Sequence, residues 1–126
     1  MKKAIAAAIL LALLFGAAAW NIAHIDSLTG SLTALADEAL AYCRTEDYGA
    51  AEDALHEALE LWYGAENYTH IMIRHSEVDS ATDAFYAVLE TILTRDADAA
   101  ESAIECLKAH LQSIDSMEHV SFRSVF

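Results

Sequence analysis

Apolar residues run without a break from Ala4 to Trp20, and beyond that run they fall into stripes spaced three and four residues apart. That spacing collects side chains on one face of a helix, whereas a half-buried strand would alternate. The first stripe, Ile25, Leu28, Leu32, Leu35, Ala39 and Tyr42, predicts a helix that carries the apolar run outward as a stalk, weakened locally at Gly30. A second stripe reads Tyr48, Ala51, Leu55, Ala58 or Leu59, and Trp62. It opens after Thr45-Glu46-Asp47, which supply a cap and first-turn acid, and is expected to continue through Gly64 to about Arg74. The third, Val78, Ala81, Phe85, Val88 or Leu89, and Ile92, follows Ser76 and Ser80, each with an Asp three residues on, and ends near Arg95. Asp96 or Asp98 caps the fourth, whose stripe Ala97, Ala100, Ile104, Leu107, Leu111 and Ile114 is the most regular in the chain. Residues 116–126 show no clear period.

Shifting the chain by 49 positions aligns Ser31 to Trp62 with Ser80 to Leu111, pairing Thr45 with Thr94, Asp47 with Asp96 and Ala51-Glu52 with Ala100-Glu101. One helical hairpin is written twice, each copy a helix, a short acidic turn, and a helix opening with Ala-Ala-Glu. Proline is absent. The expected fold class is therefore all-α: an N-terminal transmembrane helix followed by a small bundle of antiparallel helices, two αα-hairpins. The arrangement is loosely tetratricopeptide-like, although the shift exceeds the roughly 34 residues usual for such repeats.

Lys2 and Lys3 precede the apolar run, the pattern of both a secretory signal and a membrane anchor. Ala17-Ala18-Ala19 would suit a signal peptidase, and the run is short for a span, roughly 25 Å against a hydrocarbon core of about 30 Å. On the other side, Ile22, Ala23 and Ile25 extend it, Trp20 suits the headgroup belt, and no turn separates it from the next helix. These marks favour an uncleaved anchor over residues 1–25 and a helical domain over 26–126. The two lysines place that domain outside the cytoplasm.

All 20 acidic residues lie beyond Ile25, against Arg44, Arg74, Arg95, Lys108 and Arg123. Such a surface repels phosphate backbones, which argues against nucleic acid as a partner, and it suits cations, basic protein patches or plain solvation. Cys43 and Cys106 form no Cys-x-x-Cys pair. Each falls where a helix wants a small apolar side chain, so packing is the expectation for both.

The densest polar cluster, from Glu66 to Asp79, lies between the second and third stripes. Glu66, His70, His75, Glu77 and Asp79 are its metal-ligand candidates, with Glu66 and His70 on one helical face and His75 diverging from His70 by about 140°. No HExxH or ExxH pair forms, and the blander reading has His75, Glu77 and Asp79 serving helix ends. No Gly-x-Ser-x-Gly and no phosphate loop occurs. The expectation is a protein without enzymatic activity and without a cofactor. Tyr63 and Tyr68 are candidates for partner contact, Trp62 for the core, and Phe126 for docking against the bundle or another protein.

A basic apolar start, an Asp47-Tyr48 helix opening, Trp62, the stretch Ile71-Met72-Ile73-Arg74-His75-Ser76-Glu77-Val78-Asp79 and the Val125-Phe126 ending together resemble one known set. They are similar to the short membrane proteins of clostridia and related spore-forming Firmicutes grouped as a domain of unknown function. The resemblance implies an N-terminally anchored helical protein of the cell envelope, with no assigned activity, cofactor or substrate. The function expected from all of this is an interaction or adaptor module at the cell membrane, held there by its first helix, with another membrane protein or a second copy as partner. The alternative is a metal- or cation-binding helical domain.

Overall fold

The computed structural model describes residues 1–65, 69, 73 and 75–125, with the backbone alone for Glu118 and residues 121–125. Among them are four helices and no strand: α1 Lys2–Arg44, α2 Tyr48–Gly64, α3 His75–Leu93 and α4 Ala97–Val125. The all-α expectation is met. α1 packs against α2 and α4, and α3 against α4 and more sparingly against α2, so the four helices close a ring around one core.

α1 is continuous from Lys2 through Gly30 to Arg44, 43 residues or about 65 Å. Its two parts live in different surroundings. Ile5, Leu10, Leu13 and Trp20 are 59–66 % exposed, whereas from Ile25 onward one face is buried. That face is Ile25, Thr29, Leu32, Ala36, Ala39 and Cys43, with Leu28, Leu35 and Tyr42 only flanking it. The buried stripe is thus rotated from the sequence-predicted one, because it admits a threonine. The Thr29 hydroxyl donates to the Ile25 carbonyl at 2.9 Å, which removes the desolvation cost of burying it. Ile25, the last residue of the expected anchor, already belongs to the bundle core.

The other stripes seat as expected around Leu55, Trp62, Phe85, Val88, Ile104, Leu107, Leu111 and Ile114. Trp62 donates through Nε1 to Thr82 Oγ1 at 2.9 Å and packs its ring 5.8 Å from Phe85. Alanines at 51, 54, 58, 81, 84 and 100 let helices approach closely.

Both hairpin turns are built alike, atom for atom. In the first, the Glu46 amide donates to the Cys43 carbonyl and the Asp47 amide to the Tyr42 carbonyl. In the second, Arg95 donates to Ile92 and Asp96 to Thr91. These are the paired bonds of a Schellman ending, with Glu46 (φ 61°) and Arg95 (φ 56°) in the left-handed position that usually holds glycine. Asp47 and Asp96 then serve twice. Their amides close one helix, and their carboxylates accept from Ala50 and Ala99 to open the next.

Three expectations are corrected, and a stretch without a clear period is given its structure. α2 ends at Gly64, with Ala65 as its cap, and most of the stretch expected to extend it to Arg74 lies outside the described residues. α3 begins at His75, so Ser76 and Ser80 lie within the helix and do not precede it. Residues 116–125 are helical despite their lack of apolar period, because α4 runs on alongside α1, where polar pairs hold it. Cys43 is buried as expected, but Cys106 is exposed; neither is bonded to the other.

Candidate functional site

Three polar pairs join α1 to α4 in one antiparallel register: the ion pairs Arg44 with Glu101 at 2.9 Å and Asp37 with Lys108 at 2.9 Å, and the hydrogen-bonded Asp26 and His119 at 3.0 Å. The steps between them, seven and eleven residues on both helices, are close to two and three helical turns. All three therefore lie along the same seam. The first two are simple charge pairs, and Asp37 holds the Lys108 ammonium above its usual range by hydrogen bond and charge.

The third is more than a pair. Asp115 sits one turn before His119 on the same face of α4, with its Oδ1 3.8 Å from His119 Nε2. Ligand atoms of Asp26, Asp115 and His119 all lie within 4.8 Å of one another. Asp115 Oδ1 is shut away from solvent without a hydrogen-bond partner. Burial, followed by the hydrogen bond and negative charge of Asp26, pushes the Asp115 carboxyl up to about 6. Asp26 moves the other way, lowered first by the hydrogen bond to Asp115 and then by His119. The two carboxyls thus shift each other in opposite directions, Asp115 up and Asp26 down.

The trio forms part of the wall of an open groove of about 510 Å³, together with Thr29, Thr33 and Gln112. It lies at the end of the bundle where the exposed apolar part of α1 begins, since Asp26 follows Ile25 directly. An imidazole and two carboxylates converging there can hold a proton or a cation.

The sequence-predicted candidates fare differently. Glu66, His70, Tyr68 and Phe126 lie outside the described residues. His75 and Asp79 are exposed and Glu77 half-buried on the first turns of α3, and among the described residues these three do not converge on a common point. Tyr63 is 42 % exposed and its hydroxyl meets that of Tyr86 across α2 and α3. Sequence reasoning missed Asp26, Asp115 and His119. The i, i+4 spacing of Asp115 and His119 was a usable local signal, but it lay in the stretch without apolar period, and Asp26 is joined to them only by the fold.

A family model described as "Domain of unknown function (DUF4363)" matches residues 19–125. No curated protein and no solved structure matches the chain.

Proposed function

The chain belongs to the DUF4363 family, and from that premise we propose that it is a single-pass membrane protein whose helical bundle stands outside the cytoplasm and binds another protein. The observation that carries this reading is the continuity of α1. One helix leaves an apolar stretch with none of its surface buried and enters the bundle core with no hinge between, so an anchor and a folded head are mechanically one piece. Length and composition suffice for that helix to cross a membrane. Lys2 and Lys3 at its start orient the head outward.

A head held stiffly at a membrane presents one set of faces to neighbours. Tyr63 and Tyr86 on the α2–α3 side, with Leu93 60 % exposed nearby in sequence on α3, supply the aromatic and aliphatic anchors that protein contacts favour. The sparser packing of α2 on α3 marks the same side. A photo-reactive residue at Leu93, with one at Asp53 as control, tests this in native membranes. The reading requires a discrete crosslinked species from Leu93, whether to another protein or to a second copy, and repeated absence of any crosslink would count against it.

A further inference from the structure

We propose that Asp26, Asp115 and His119 form a binding site for a divalent transition-metal ion of the zinc type, clasping α1 to α4 at the end of the bundle that adjoins the apolar run of α1. The inference does not rest on the anchor or on a protein partner.

Donor geometry comes first. A tetrahedral zinc ion with oxygen and nitrogen ligands at about 2.0–2.1 Å needs ligand atoms about 3.3 Å apart. His119 Nε2 stands 3.0 Å from Asp26 Oδ1 and 3.8 Å from Asp115 Oδ1, on either side of that value. Small side-chain rotations would equalise them. The donor set comes second. One imidazole and two carboxylates suit zinc and its neighbours, whereas calcium asks for six to eight oxygens and magnesium for a near-ideal octahedron of them.

Asp115 Oδ1 is the third observation. That oxygen is closed off from water although the Asp115 side chain as a whole is 33 % exposed, and an ionised oxygen so placed is stabilised when something electropositive approaches it. The His119 ring nitrogen, at 3.8 Å, is too far to hydrogen-bond it. The groove supplies the fourth, because it leaves room beside three protein ligands for a solvent molecule in the remaining position. A chain carrying a formal −13 also gathers cations from solution. The site is assembled from residues 93 positions apart, so an ion there would bind the folded bundle and not the unfolded chain.

The test uses the full chain in detergent micelles, stripped with a chelator and titrated with zinc chloride alone by calorimetry, with melting followed in parallel. The expected result is saturable one-to-one binding and a rise in Tm with added zinc. Asp115→Asn and His119→Gln, both close to isosteric, should weaken binding by about tenfold or more while far-UV circular dichroism stays native. Asp53→Asn, exposed on α2, should leave it unchanged. Binding that persists in Asp115→Asn and His119→Gln would place zinc elsewhere and overturn the proposal. So would the absence of saturable binding up to about 1 mM zinc, which would leave less than about 4 kcal/mol of binding free energy.

Discussion

Asp26 on α1 and His119 on α4 are separated by 93 positions of chain and by 3.0 Å of space. They stand in the same register as Asp37 with Lys108 and Arg44 with Glu101, so the two terminal helices are zipped along one polar seam. That seam explains why α4 stays helical beyond Ile114, where apolar residues cease to mark a face. It also sets the depth to which α4 descends. Beyond His119 the backbone of α4 continues to Val125 in the direction of the apolar run of α1.

The seam should be energetically graded by burial. The Lys108 side chain is 21 % exposed and Arg44 61 %, and water screens the second pair more. A double-mutant cycle on Asp37 and Lys108, read by chemical denaturation, should give a coupling of about 0.5–1 kcal/mol, and one on Arg44 and Glu101 clearly less. Equal couplings would contradict this ordering.

The two Schellman turns should respond as a pair. Glu46→Gly and Arg95→Gly relieve a left-handed strain and should each stabilise the bundle by about 0.5–1 kcal/mol after the entropy cost of glycine. Asp47→Ala and Asp96→Ala remove a helix-opening acceptor and should each cost about 1 kcal/mol. Thermal melts of the four variants would show whether the second turn mirrors the first.

Apolar residues on either side of Ile25 should behave in opposite ways. Phe85 is fully buried against Trp62, and Phe85→Ala should destabilise the bundle by about 3–5 kcal/mol. Leu13 is 66 % exposed in the structure, and Leu13→Ala should leave bundle stability within about 0.5 kcal/mol. Denaturation of both variants in micelles measures the difference.

The two cysteines should be chemically unlike. Cys106 is exposed and should react with a thiol reagent at once, while buried Cys43 should react only as fast as the bundle opens. Burial pushes the Cys43 thiol above its usual 9.0. The folded protein thus holds that proton more tightly than the unfolded chain, and this contribution to stability, present below about pH 9, is lost as pH rises through the folded value. Cys43→Ala should flatten the alkaline end of a stability–pH curve.

Much of the fold was legible because helical periodicity is a local property. The stripes through Leu55, Phe85 and Ile104 needed no partner to be read, and the 49-residue repeat foretold two like turns. The repeat did not reveal that Asp47 and Asp96 each close one helix and open the next. Local reading failed where the deciding partner was distant. Thr29 is buried because its own helix satisfies it, residues 116–125 are helical because α1 lies alongside, and Asp26 joins Asp115 and His119 only once the hairpins have closed. The acidic and histidine-rich stretch around His75 drew the eye by composition, yet composition carries no information about convergence.

The proposal of an anchored, outward-facing head can be tested without engineering a probe, because Cys106 is exposed and Cys43 is not. Intact cells expressing the full chain would be treated with a membrane-impermeant maleimide, and the membrane fraction analysed by intact mass, with Cys106→Ser as control. The account predicts a full-length chain in the membrane carrying one label at Cys106. A chain labelled only after lysis, or a shortened form released to the medium, would contradict it.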